Sequence, residues 1–272
     1  MTAYANFGSH APLPVRPAVG AAAHADKVIL VTGAAGGVGQ GMVRTLLEAG
    51  AWVAAADLDP GRVDADPRVL PIAVEIADPA SVAAMVEQTL VWRGRVDGLV
   101  NGAAVALHAP PLDHGLELWR RQFEINVFGA YETARLVAKA MIERGIRGAI
   151  VNISSEAGKI GHAETMIAYS ATKAALISMT RMLSAALAAH DINVNCVCPG
   201  SVATPMLRQV ADVFSAMSGE TPEQVFDQMV SSQLRRHTTP EEIGRCVSFL
   251  LSDDAMLIRG QAVNVDGGDT PY

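Results

Sequence analysis

From residue 27 onward, short apolar runs alternate with longer stretches of helical periodicity. "KVILVTG" (27–33) is an unbroken run rich in β-branched residues and closed by glycine, the pattern of a strand buried on both faces. In "GVGQGMVRTLLEAG" (37–50), Val38, Met42, Val43, Leu46 and Leu47 fall on one helical face, and Gly50 supplies the stop. The alternation then repeats. Strands are predicted in 51–57, 68–76, 96–103, 148–155, 192–200 and 260–268. Helices are predicted over 79–92, with Asp78 as cap and Pro79 at the first position, from Leu116 to Arg144, and over 165–190. Two short helices are expected in 204–232, and another over 239–252 with Thr239 as cap.

Strands separated by helices run parallel with right-handed crossovers, and strands without polar alternation are covered on both sides. The expected fold class is α/β: a doubly wound (Rossmann) parallel sheet of about seven strands with helices on both faces. No repeat or linker divides residues 26–272, so one domain is expected there. Residues 1–25, rich in Ala and Pro, read as an N-terminal arm that is either loose or laid on a neighbouring subunit. In such a sheet, ligands bind beyond the carboxyl ends of the strands, so the residues following each strand carry the chemistry.

Composition narrows the classes. The net charge is −7 and the only basic cluster is Arg235-Arg236-His237, read as a solvated turn, which argues against nucleic acid as a partner. No apolar run reaches membrane-spanning length, and the N-terminus lacks the charged start and apolar core of a secretory signal. Three cysteines, Cys196, Cys198 and Cys246, form no disulfide framework; buried thiols in a reducing cytoplasm are expected, with no metal site.

The first strand leads into "TGAAGGVGQG" (32–41). Glycines at 33, 37 and 39 suit a tight turn, close approach of a pyrophosphate to backbone, and close packing of helix on strand. The helix start then offers free N–H groups and a positive dipole end to phosphates. Asp57 closes the second strand 18 residues beyond Gly39. A carboxylate there accepts the adenosine ribose hydroxyls and repels a 2′-phosphate, which favours NAD over NADP. Gly36 and Leu58 beside it bring no cation, and Arg62 is the nearest in sequence.

At the other end, "NISS" puts Ser154 and Ser155 at the close of the fifth strand, and "YSATK" puts Tyr169 and Lys173 four apart on one helical face. Asn126 lies in the preceding long helix. A phenol with its ordinary pKa of about 10 is a poor base at neutral pH, whereas a nearby cation favours the phenolate. A serine hydroxyl can donate to a developing alkoxide.

With "TGAAGGVG", Asp57, Asn126, "NISS", "YSATK", "PGSVATPM" (199–206) and "GQAVNVDGG" in place, the chain resembles the short-chain dehydrogenases/reductases over essentially all of its length from residue 27. The resemblance implies Tyr169 as catalytic acid/base, and Lys173 as the group that holds the nicotinamide ribose and lowers the phenol pKa. It implies Ser155 as the group orienting the substrate oxygen and Asn126 as the anchor of a water in the proton relay. The implied cofactor set is Gly33, Gly36, Gly37, Val38, Asp57, Leu58, Glu75, Ile76, Asn101, Ala103, Tyr169, Lys173, Pro199, Gly200, Val202 and Thr204, the last two at the nicotinamide carboxamide.

Three departures stand out. "NGAA" (101–104) replaces the family's "NNAG". Glu75 stands where aspartate commonly meets adenine, leaving the contact to Glu75 or to the Ile76 backbone. The stretch from Ser155 to Tyr169 is one residue longer than expected, so either its loop bulges or Ser154 takes the serine role. Substrate contacts are sought at Ser155, Glu156, His162, Glu164, Tyr169 and Met206. The expected activity is NAD-dependent interconversion of a secondary alcohol, such as a sugar alcohol or vicinal diol, with its ketone, by a homotetramer. Alternatives are reduction of carrier-bound 3-oxoacyl thioesters, with Arg120 and Arg121 toward the carrier, or non-catalytic nucleotide binding.

Overall fold

The apolar runs become one parallel sheet in the computed structural model, which describes residues 22–161 and 163–270. Among these residues the strands are β1 (Val28–Thr32), β2 (Trp52–Asp57), β3 (Val69–Ala73), β4 (Gly98–Asn101), β5 (Ala149–Ile153), β6 (Asn193–Pro199) and β7 (Ala262–Val265), in the order β3-β2-β1-β4-β5-β6-β7. The chain reverses its winding between β1 and β4, where Thr32 pairs with Asn101. That reversal opens the crevice in which a doubly wound sheet binds its ligand. Pro71, which has no N–H to donate, is confined to the edge strand β3.

Helices α1 (Gly37–Glu48) and α8 (Pro240–Leu251) cover one face; α2 (Pro79–Arg93), α4 (Ala130–Glu143) and α5 (Ile167–Leu187) cover the other. Along β1, Ile29 and Val31 join Met42, Leu46, Ile243 and Val247 on the first face, whereas Leu30 joins Met85, Val137 and Met141 on the second. α1 and α8 meet backbone to backbone. A Cβ on Gly41 would lie 2.3 Å from that of Pro240, and one on Gly244 would lie 2.8 Å from the Gly41 carbonyl. Arg44 closes the pair on Glu241 at 2.6 Å. This contact fixes the direction in which α1 leaves the glycine turn.

The structure corrects three expectations. The helix expected from Leu116 to Arg144 is three pieces: α3 (Leu116–Phe123), a π-helical turn over Glu124–Gly129, and α4. Gly129 sets the constraint there, since a Cβ on it would lie 2.6 Å from the Ile76 carbonyl. The expected arm also ends earlier than residue 25. His24 is buried, its backbone N–H donates to the Ala49 carbonyl (2.9 Å), and its Nε2 lies 3.0 Å from both the Ser248 carbonyl and hydroxyl oxygens. Residues 1–21 lie outside the described residues. Finally, the Arg235-Arg236-His237 turn is tied down: Arg236 pairs with Glu242 at 2.7 Å and the His237 ring packs 4.2 Å from Phe226.

The 204–232 segment forms α6 (Pro205–Ser218) and α7 (Pro222–Gln228), capped by the hydroxyls of Thr204 and Thr221. Among the described residues, no helix is long and apolar enough to cross a membrane.

Candidate active site

A cavity of about 850 Å³ opens beyond the carboxyl ends of the strands. Nearly every described residue expected at the cofactor or substrate lines it: Gly33, Gly36, Gly37, Val38, Asp57, Leu58, Glu75, Ile76, Ala103, Ser155, Glu156, Tyr169, Lys173, Pro199, Gly200, Val202, Thr204 and Met206. His162 lies outside the described residues. Glu164 is exposed in a 3₁₀ turn and does not line the cavity.

The glycine turn is shaped as a cradle. Gly33 has φ +69°, a left-handed conformation that glycine tolerates, and a Cβ on it would lie 2.7 Å from the Ala103 backbone nitrogen. On Gly39 a Cβ would fall 1.9 Å from the Gly33 carbonyl. α2, α6 and α8 are capped by side chains of Asp78, Thr204 and Thr239, but α1 begins at Gly36 with no side-chain cap. Its first internal bond runs from the Gln40 N–H to the Gly36 carbonyl, leaving the N–H groups of Gly37, Val38 and Gly39 without partners inside the helix. An uncapped helix start at a cavity, with no side chain in the way, fits a dinucleotide pyrophosphate. Beside it the Asp57 carboxylate is pinned by the Ala35 N–H (3.0 Å) and the Asp59 N–H (3.2 Å).

Two of the expected residues have partners within the protein. Glu75 folds back, accepting the Ala77 N–H at 3.1 Å and pairing with Arg121 at 3.7 Å. Asn101 does not line the cavity: its amide donates to the Ala130 carbonyl (3.1 Å) and the Asn152 side chain (2.9 Å), tying β4 to α4 and β5. Its first position in "NGAA" made it look like a ligand group, whereas its amide nitrogen is engaged within the scaffold.

At the chemical end the two serines separate. Ser154 is buried, and its hydroxyl donates to the Lys173 carbonyl at 2.8 Å. Ser155 lines the cavity, as Tyr169 does. The longer loop is absorbed in two 3₁₀ turns, Glu156–Gly158 and Glu164–Met166. Gly158 makes this possible, because a Cβ there would lie 2.7 Å from the Lys173 carbonyl carbon.

Lys173 is 3% exposed, donates from Nζ to the Ile153 carbonyl at 2.8 Å, and lies 5.5 Å from the Tyr169 ring centre. Burial brings its ammonium down to about 8. Burial pushes the Tyr169 phenol up to about 12; the Ser155 hydrogen bond opposes that rise and Glu156 adds to it. The phenol is thus raised rather than lowered, because loss of water around the phenolate outweighs the rest. Glu156, also buried, is pushed up to about 8 by burial first and then by Asp269 and Asp266.

Asn126 stands back from the cavity. Its side chain accepts the Val105 N–H (2.9 Å) and donates to the Val105 carbonyl (2.9 Å) and the Thr172 hydroxyl (3.0 Å). The amide thus clamps the loop after β4 to α5. Gln122, which sequence reasoning missed, holds the same loop by accepting the Leu107 N–H at 3.1 Å. The Thr204 hydroxyl is likewise committed, accepting the Leu207 N–H and donating to the Val202 carbonyl. Cys196 and Cys198 are buried on one face of β6 with Ile177.

The sheet, the glycine cradle at its switch point and the hydroxyl–phenol–amine group beyond β5 define a nicotinamide-dependent oxidoreductase of the doubly wound class. The family profile described as "Enoyl-(Acyl carrier protein) reductase" matches residues 33–270. The chain is 36% identical over 258 residues to cis-4-hydroxycyclohexanecarboxylate dehydrogenase of Sinomonas cyclohexanicum, covering 91% of this chain and 98% of that one. It is 34% identical over 250 residues to the NAD-dependent glycerol dehydrogenase of Listeria innocua, covering 90% and 94%. Among solved structures, sorbitol-6-phosphate 2-dehydrogenase of Erwinia amylovora superposes with a TM-score of 0.84 at 29% identity, over 90% of this chain and all of that one. The chain belongs to the short-chain dehydrogenase/reductase family.

Proposed function

We propose that the protein oxidises a secondary alcohol to its ketone with NAD, and catalyses the reverse reduction. The observation that carries this reading is the placement of Ser155, Tyr169 and Lys173 on one cavity wall, with the Lys173 amine buried 5.5 Å from the Tyr169 ring centre. Ser155 donates to the substrate oxygen and Tyr169 takes the hydroxyl proton as the carbonyl forms. Lys173 contributes positive charge beside the phenol and hydroxyl-binding capacity toward a ribose. When bound, NAD accepts the hydride and brings a positive ring that favours the phenolate. Asp57, held by two backbone N–H groups, accepts ribose hydroxyls and repels a 2′-phosphate. The NAD-dependent glycerol dehydrogenase among the relatives supports the same choice.

The test is NADH formation by the purified protein across polyols, diols and secondary alcohols, with NAD and NADP compared. NAD-linked turnover that Tyr169→Phe abolishes is expected; tight NAD binding with no turnover of any alcohol would instead establish a non-catalytic nucleotide-binding protein. The description of the matched family profile favours a second reading, reduction of carrier-bound acyl thioesters. Against it, Arg120 and Arg121, the cations proposed to face a carrier, already pair with Glu117 and Glu75. Faster NADH consumption with 3-oxoacyl thioesters than with simple ketones would establish that reading.

A homotetrameric assembly is supported by the exposed apolar side chains of Phe128 and Tyr131 on one long helical segment and Met182 on α5. A monomer in light scattering refutes it. Three free thiols suit a reducing cytoplasm.

A further inference from the structure

Beyond the reacting hydroxyl, the cavity is walled by apolar side chains. Val105, Met166, Met206, Val210, Phe214 and Met229 line it. Phe214 and Met229 belong to the small apolar cluster by which α6 and α7 close over it. The same cavity has to accommodate the dinucleotide, so the space left for substrate is compact.

Two carboxyl groups, Glu156 and Asp269, interrupt this wall. Glu156 immediately follows Ser155, lines the cavity and is only 9% exposed. Its carboxyl packs against Gly200, where a Cβ would lie 2.8 Å both from Glu156 Oε2 and from the Asp266 Cβ. Asp266 behind it accepts the Gly268 and Thr270 N–H groups at 2.9 and 2.8 Å and the Thr270 hydroxyl. Asp269, also on the cavity wall, accepts the Ser232 N–H at 2.6 Å. Burial and these two carboxylates push the Glu156 pKa up to about 8, so at neutral pH it is largely the neutral acid, able to donate a hydrogen bond.

Positive charge lies elsewhere. Among the described lining residues, Arg62 and Arg121 belong to the Asp57 and Glu75 end, and the Lys173 amine is held on the Ile153 carbonyl. An anionic group brought to the substrate end would meet the Asp269 carboxylate and no uncommitted cation of the described lining.

We infer that the substrate end selects an uncharged, compact, largely apolar secondary alcohol carrying a second oxygen held by Glu156, and turns away alcohols bearing a carboxylate or phosphate. This rests on the dehydrogenase reading and deepens it. It also separates this chain from two of its relatives, which are named for a hydroxy acid and a sugar phosphate.

The test compares three alcohols matched in ring size: cyclohexane-1,2-diol, cyclohexanol and cis-4-hydroxycyclohexanecarboxylate, each with NAD and the full chain. For wild type, kcat/KM should fall about 10-fold from diol to cyclohexanol, the worth of one hydrogen bond, and at least about 100-fold from diol to the carboxylate. Glu156→Ala should raise KM for the diol about 10-fold more than it raises KM for cyclohexanol. Glu156→Gln, which keeps a donor, should stay within about threefold of wild type on the diol. Asp269→Asn should increase use of the carboxylate, a gain that a merely structural role for Asp269 would not produce.

Equal use of carboxylate and diol by wild type overturns the inference with no variant needed. So does a Glu156→Ala loss that is the same for diol and cyclohexanol. Absence of turnover for all three alcohols and the wider panel, with NAD still bound, overturns the dehydrogenase reading itself.

Discussion

Ser154→Ala and Ser155→Ala should have opposite signatures, because adjacent hydroxyls have been given different partners. Ser155 lines the cavity with Tyr169. Its loss removes a donor aimed at the developing alkoxide, which in comparable sites costs about 100- to 1,000-fold in kcat. It also removes the acceptor for the Ala157 N–H at 3.1 Å, worth about 1 kcal/mol of stability. In a chain of this size that lowers Tm by about 2–4 °C. Ser154 is 3% exposed and spends its hydroxyl on the Lys173 carbonyl. Removing it breaks a buried hydrogen bond and leaves that carbonyl short of a partner, costing about 1–3 kcal/mol and several degrees of Tm. The lysine side chain keeps its own bond to the Ile153 carbonyl, so kcat should change less than about tenfold. Steady-state kinetics at saturating NAD and thermal melts of the same preparations measure both. A collapse of kcat in Ser154→Ala with near-normal kcat in Ser155→Ala would refute the assignment.

Further expectations follow from the cradle, the ribose end and the N-terminal contact. Asp57→Asn removes a charge-assisted acceptor worth about 1.5–3 kcal/mol, so the NAD-to-NADP ratio of kcat/KM should fall about 10- to 100-fold; an unchanged ratio would show that Asp57 does not set the preference. Gly39→Ala forces a Cβ to within 1.9 Å of the Gly33 carbonyl, which must open the turn, and calorimetric NAD affinity should drop by at least about tenfold. Burial lowers the His24 pKa below 6.5, the Ser248 carbonyl opposing and Lys27 reinforcing the shift, with Asp253 raising it slightly. The neutral ring therefore stabilises the fold above its unfolded value, and that contribution is lost as pH falls below it. Urea titrations at about pH 8 and about pH 5.5 should show a larger loss for wild type than for His24→Gln.

The parallel sheet and its ligand edge were legible because each is written in local pattern. β-branched runs gave the strands, and Asp78-Pro79 and Thr239-Pro240 gave helix starts that the caps of α2 and α8 reproduce. What the pattern could not give depends on partners distant in sequence. Leu116 to Arg144 has helical spacing throughout, and nothing local announces the π-helical turn. It accompanies contacts from outside the helix: Ile76 pressing on Gly129, and Val105 and Thr172 on Asn126. Asn101 looked like a ligand group for the same reason, since its partners Ala130 and Asn152 are 29 and 51 residues away. His24 was assigned to the arm because its partner Ser248 lies 224 residues on.

The Tyr169–Lys173 pair shows where local pattern stops informing chemistry. Four-residue spacing on a helix puts amine and phenol on one face, and from spacing alone the cation lowers the phenol pKa. Packing adds a term that spacing does not contain: both groups are almost wholly removed from water, which disfavours each charged form. The phenol rises to about 12 and the ammonium falls to about 8. At neutral pH Tyr169 is therefore a protonated donor, and the site stores no phenolate. This has an energetic advantage for a protein that must remain folded without ligand, because a buried phenolate held by one lysine would be costly to maintain. The base is thus conditional. Positive charge entering the cavity favours the phenolate, which would couple proton removal to occupancy of the glycine cradle. A spectrophotometric titration of the phenol should accordingly show a lower Tyr169 pKa with NAD bound than without, and an equal pKa in the two states would refute the coupling.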